Sequence, residues 1–141
     1  MSINLINSLV RGGEIYHTPI DDLESFVWVL LWAIFNILTK NGIQLTRVEQ
    51  DWFDTLRSSS LRVLRTKGNF IRYLPVPKNW SSRFLTFAPL LNEWLVLAAE
   101  ARLVIGKLDS PPTDVQFYKD YYAQYLEIGV RYLESLPESW L

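Results

Sequence analysis

Thr18-Pro-Ile-Asp-Asp-Leu-Glu-Ser25 runs directly into Phe26-Val-Trp-Val-Leu-Leu-Trp-Ala-Ile-Phe-Asn-Ile-Leu38, and the rest of the chain has to be arranged around this segment. From Phe26 to Leu38 only Asn36 is polar. A helix with that pattern keeps no polar face for water, so it is expected to be wrapped by other helices. The acids Asp21, Asp22 and Glu24 stand only at its start, where a helix exposes unpaired N–H groups and the positive end of its dipole. Pro19 keeps the helix from extending further back. A membrane span is the rival reading, but it needs about 20 apolar residues, and this run is shorter and edged by acids. The expectation is a buried central helix over about residues 22–39.

The composition narrows what surrounds it. At 141 residues the chain is one domain's worth, enough to bury a sizeable core. Lys and Arg number 14 against 15 Asp and Glu, a formal net charge of −1, so no general electrostatic case exists for nucleic acid or an anionic membrane. A hydrophobic fraction of 49% argues against disorder. There is no cysteine, which excludes disulfides, thiol nucleophiles and thiolate metal sites, and the N-terminus lacks the pattern of a signal peptide. An intracellular location, cytoplasmic or nuclear, is expected.

Further along, the signals are helical. Leu5, Ile6, Leu9 and Val10 form a short stripe that Gly12-Gly13 ends, and Lys40-Asn41-Gly42 is a stop signal after the central helix. Thr46 and Glu49 have capping-box spacing, and Val48, Trp52, Phe53 and Leu56 then share a face. A second helical stretch follows with Leu61 and Leu64, extending toward Phe70 and Ile71, before the extended connector Leu74-Pro75-Val76-Pro77. Ser81 and Ser82 offer caps to a helix through Leu91, Trp94, Leu95, Ala98 and Arg102, with Pro89 expected in its first turn and Gly106 near its end. Thr113 and Gln116 have capping-box spacing, and Tyr118, Tyr122, Tyr125, Leu126, Gly129, Leu133 and Leu136 then line one face up to Pro137. The fold class is all-α, without repeats.

Few residues offer chemistry. His17, the only histidine, reads as a loop residue, and a two-histidine metal site is excluded. Asp21, Asp22 and Glu24 could form a metal or acid–base cluster, but capping explains them more simply. The tyrosines after Tyr118 could stack nucleobases, yet no basic stripe accompanies them, and core packing is preferred. Arg62, Arg65, Lys67 and Arg72 could touch a phosphate, although an exposed helix commonly carries such charges.

Two motifs carry a family resemblance. Ser2-Ile3-Asn4, followed after a loop by Asp21-Asp22-Leu23-Glu24-Ser25 at the head of an apolar helix, resembles the protein kinases, in particular casein kinase one and its relatives. Those kinases replace the Ala-Pro-Glu motif by Ser-Ile-Asn and open helix F with Asp-Asp-Leu-Glu-Ser. His17-Thr18-Pro19, the aromatic-rich helix and the closing Ser135-Leu-Pro-Glu-Ser-Trp140 look more specifically like the fungal-type protein kinases. The resemblance implies that residues 1–141 are a partial kinase domain: the end of the activation segment, helix F and the helices after it, the helical part of the C-lobe. It places Asn4 where most kinases have the motif's Glu. Asp22 falls where helix F has the Asp that holds the catalytic-loop backbone, while also capping its own helix.

The departures bear on function. A kinase needs a Gly-rich loop, a strand Lys paired with a helix Glu, a His-Arg-Asp catalytic loop with its downstream Asn, and an Asp-Phe-Gly metal site. None occurs in these 141 residues; the N-lobe and catalytic loop are absent. As it stands the chain is therefore expected to be a non-catalytic fragment, remnant or interaction module, with no catalytic, cofactor-binding or metal-ligating residue. ATP and Mg²⁺ would enter only if a missing half completed it. The alternative is part of an active serine/threonine kinase whose catalytic half lies upstream or is supplied in trans, and a third reading is a helical adaptor. In a complete kinase other parts cover helix F, so bare apolar surface is expected here, inviting a protein partner or self-association.

Overall fold

The computed structural model describes residues 17–57 and 80–137. Within them the chain is all-α, with four helices: α1 (Pro19–Lys40), α2 (Arg47–Arg57), α3 (Ser82–Ile105) and α4 (Val115–Ser135). The stripe before Gly12, the stretch around Leu61 and Leu64, the prolines at 75 and 77, the basic cluster at Arg62, Arg65, Lys67 and Arg72, and Ser2-Ile3-Asn4 lie outside the described residues.

Local chemistry sets the ends of α1. Thr18 precedes Pro19, and the Asp21 carboxylate accepts from the Thr18 N–H at 2.8 Å and from its hydroxyl at 3.0 Å. Proline at the first helical position loses nothing, since its missing N–H would have had no partner within the helix. At the other end Gly42 takes φ 72°, a left-handed conformation that glycine adopts without strain, and its N–H reaches the Thr39 carbonyl at 3.0 Å.

Helix α1 is the hub and touches all three others. Ile20, Leu23, Val27, Leu31 and Phe35 are buried against them. The expectation of a helix wrapped all round is overturned among the described residues: Phe26 is 57% exposed, Val29 61% and Ile37 57%. The described neighbours lie on one side, and side chains of the opposite stripe are exposed. At 22 residues α1 is also longer than the apolar run suggested. Both α1 and α3 are long and apolar enough to cross a membrane by length and composition, although each buries part of that length in the fold.

An aromatic ladder joins the first three helices. Phe35 stacks on Phe84 with ring centroids 5.5 Å apart, Trp80 stacks on Phe84 at 4.2 Å, and Phe53 meets the edge of Phe35 at 6.2 Å. These rings bury large areas in favourable stacked and edge geometries. Helix α4 closes the other end, where Ile20, Leu23, Ala98 and Ala101 pack with Tyr118, Tyr121, Tyr122 and Tyr125. Trp94 stacks on Tyr125 at 4.2 Å and donates its indole N–H to the Tyr125 carbonyl at 2.9 Å. Gly129 makes room for that indole, because a Cβ there would lie 3.3 Å from it.

Three local expectations are corrected. Pro89 lies inside α3 rather than in its first turn, because the helix already starts at Ser81, whose hydroxyl accepts from the Phe84 N–H at 3.2 Å. Buried Phe84, Leu90 and Leu91 hold the turns on either side of the proline. Helix α4 is capped by Asp114, which accepts from the Gln116 N–H at 2.8 Å, so the cap is one residue beyond Thr113. The expected seven-residue stripe of α4 divides: the tyrosines are half-buried, whereas Leu126 is 65% and Leu133 53% exposed, because α4 packs on α1 and α3 mainly through the side that carries its tyrosines.

Candidate functional site

The acids at the head of α1 separate into different roles. Asp21 and Glu24 are buried, and Arg102 of α3 reaches both. Its guanidinium pairs with Glu24 and lies 3.8 Å from Asp21. Glu24 also accepts the indole N–H of Trp28 at 2.8 Å. Asp21 caps its own helix. Ser25 donates its hydroxyl to the Asp21 carbonyl at 2.8 Å, and Leu23 fills the core.

The electrostatics match this arrangement. Burial lowers the pKa of the Arg102 guanidinium, while the Asp21 charge opposes the shift. Two phenols close over the same end. Burial, followed by the charge of Asp21 for Tyr118 and of Asp22 for Tyr122, pushes both upward. Tyr118 donates to the Pro112 carbonyl at 2.9 Å and Tyr122 to the Pro19 carbonyl at 3.4 Å. This is an ion-paired clamp between α1 and α3. Among the described residues no group of three or more His, Cys, Asp or Glu is placed to hold a metal ion.

Arg102 was placed by sequence on the same face as Ala98, but its pairing was not foreseen. The sequence shows only that a cation in an otherwise apolar helix calls for an anionic partner, not which acid supplies it. Glu49 was likewise read only as part of a capping box. That box is present, with the Thr46 N–H donating to Glu49 at 2.9 Å and the Glu49 N–H to the Thr46 hydroxyl at 3.3 Å. The other Glu49 oxygen accepts both the N–H and the hydroxyl of Ser81, at 2.8 and 2.5 Å. One buried carboxylate thus ties the start of α2 to the start of α3.

Asp22 points elsewhere. It is half-exposed, with a carboxylate oxygen 3.2 Å from Nε2 of His17, which lies in the loop ahead of the helix as expected. Helical spacing puts Asp22 on the same open stripe as Phe26, Val29, Ala33, Ile37 and Lys40. Beside that stripe runs an apolar groove of about 600 Å³, lined by Leu30, Ala33, Ile37 and Phe87, with Arg83 as its charged member. No protein family, characterised protein or solved structure matches the chain. The kinase resemblance therefore rests on the sequence motifs alone.

Proposed function

We propose that this chain is a non-catalytic portion of a fungal-type protein kinase domain, in which α1 corresponds to helix F and α2 to α4 to helices that follow it, and that it acts by presenting the open face of α1 to a protein. The observation that carries this reading is the position of Asp22. In the resembled family the equivalent Asp holds the catalytic-loop backbone, and that loop and the helix before it lie against helix F. Here Asp22 is turned outward at one end of a bare apolar stripe, while its neighbours Asp21 and Glu24 are turned inward to Arg102. The long apolar helices are read as core helices rather than membrane spans, because each turns one face to the aromatic and tyrosine clusters.

The same surface favours one alternative, an active serine/threonine kinase in which an upstream or separate catalytic half covers this face and supplies the sites for ATP and Mg²⁺. Two measurements separate these readings. The chain alone, heated with a non-hydrolysable ATP analogue and Mg²⁺, should show no shift in melting temperature. It should, however, bind the N-lobe and catalytic-loop half of a fungal-type kinase, and Asp22→Asn should weaken that binding at least tenfold. If the assembled halves phosphorylate a protein substrate, the alternative is correct. Absence of any binding to the catalytic half refutes the kinase reading in both forms.

A further inference from the structure

We infer that the open face of α1 is closed by a second copy of this chain, with the two α1 helices antiparallel across a two-fold axis at the level of residue 31. The stripe runs from Asp22 through Phe26, Val29, Ala33, Asn36 and Ile37 to Lys40, with Asp22 and Lys40 nine residues either side of residue 31 and Val29 and Ala33 two either side. An antiparallel pair centred there sets Val29 opposite Ala33, Phe26 opposite Asn36 and Ile37, and Asp22 opposite Lys40. Such mutual exchange of contacts is the hallmark of a two-fold interface.

Charge selects this arrangement over the parallel one. Asp22 and Lys40 are both exposed and lie about 27 Å apart along the helix at 1.5 Å per residue. Antiparallel packing gives two Asp22–Lys40 pairs, one at each end, whereas parallel packing would bring Asp22 against Asp22 and Lys40 against Lys40. Small Ala33 near the crossing lets the backbones approach. Phe26 of each copy arrives beside Ile37 of the other, at the apolar groove under Phe87. Exposed Leu126, Val130 and Leu133 make a second apolar stripe on α4, but Lys119 and Pro137 at its two ends offer no charge pairing.

The open side chains of α1 present on the order of 400 Å² per copy, about 800 Å² for the pair, which is below the range of stable specific interfaces and sets the dimer among weak, transient ones. The dimer should therefore be weak, and weaker still with salt. This inference does not depend on the kinase reading, since it concerns the chain by itself.

The test is sedimentation equilibrium of the full chain and of two variants, Asp22→Lys and Lys40→Asp, with circular dichroism verifying that each keeps its helix content. Each variant alone places like charges at both ends of the antiparallel pair and should dimerise at least tenfold more weakly. Mixed in equal amounts, they place opposite charges at both ends and should recover the wild-type constant. Val29→Arg, at the centre, should abolish dimerisation of the otherwise folded chain. A monomer at every concentration up to about a millimolar, a dimer indifferent to both charge changes, or a mixture that fails to recover would each overturn the inference. So would preferential insertion of α1 into neutral phosphatidylcholine vesicles, read by Trp28 and Trp32 fluorescence. None of these outcomes involves a kinase half, so the dimer and the kinase reading can fail separately.

Discussion

Replacing Glu49 by alanine should be among the most damaging single changes in the protein. Its buried carboxylate accepts from the Thr46 N–H, the Ser81 N–H and the Ser81 hydroxyl. Two of these donors are backbone groups at the starts of α2 and α3, where the helices supply no partner of their own. Hydrogen bonds to a charged group contribute about 1.5–3 kcal/mol, and a buried donor left without a partner costs about 1–3 kcal/mol. The donors are only partly buried, so water recovers some of the loss, and a net cost of about 3–5 kcal/mol is expected for Glu49→Ala. Against a typical total of about 5–15 kcal/mol, that is a third or more of the stability. Glu49→Gln keeps the volume and one acceptor oxygen and should cost about half as much. Urea denaturation gives both values from the midpoint at constant slope. Ser81→Ala in the Glu49→Ala background should then cost less than in the wild type, since the two changes remove shared contacts. A loss below about 1 kcal/mol for Glu49→Ala, or strictly additive single and double changes, would show that the tether does not couple the two helices.

Three other outcomes follow from the same reasoning. Arg102→Met leaves Asp21 and Glu24 buried without their cation and should cost about 3–5 kcal/mol in chemical denaturation, part of which the added change Glu24→Gln should restore. In alkali, burial holds the Tyr125 and Tyr132 phenols protonated in the folded chain beyond the pH at which they ionise unfolded, so the folded state binds more protons there. The stability they contribute is full below the unfolded value of about 10 and lost as pH rises through the folded values; Tyr125→Phe should flatten that decline while leaving stability near neutral pH almost unchanged. Gly129→Ala should fail to give the roughly 1 kcal/mol that helix propensity promises, because Trp94 is held by Tyr125 on one side and cannot move away from the added methyl. Thermal unfolding of the two chains, side by side, checks it.

The elements legible in the sequence were those fixed by short-range chemistry. The Thr46–Glu49 box, the Ser81 cap, Pro19 before the acids and Gly42 after Lys40 each involve groups within four residues, and each stands where the spacing put it. The Pro89 expectation went wrong because the cap at Ser81 and the buried side chains around the proline outweigh the missing N–H. The open face of α1 was not legible from the helix itself. A segment apolar all round has no periodicity, so only the number and placement of its neighbours decides which side stays bare. The candidate site was read in part: the acids were found, but Glu49 to Ser81 spans 32 residues of sequence, and no local spacing announces such a pair. Glu24 and Arg102, on different helices, were hidden for the same reason.

The polar contacts of this fold and its bare apolar face belong to one design. An apolar helix laid among apolar neighbours has no strong reason to prefer one rotation about its axis, because hydrophobic burial is non-directional. Asp21 and Glu24 remove that freedom: both sit on the side of α1 that faces α3, and Arg102 engages them only in one rotational setting. Once that setting is fixed, helical geometry sends Asp22, Phe26, Val29 and Ile37 to the opposite side. Which side of α1 remains open is dictated by where its buried carboxylates must point, and loosening the clamp with Arg102→Met should disturb association through α1 together with stability.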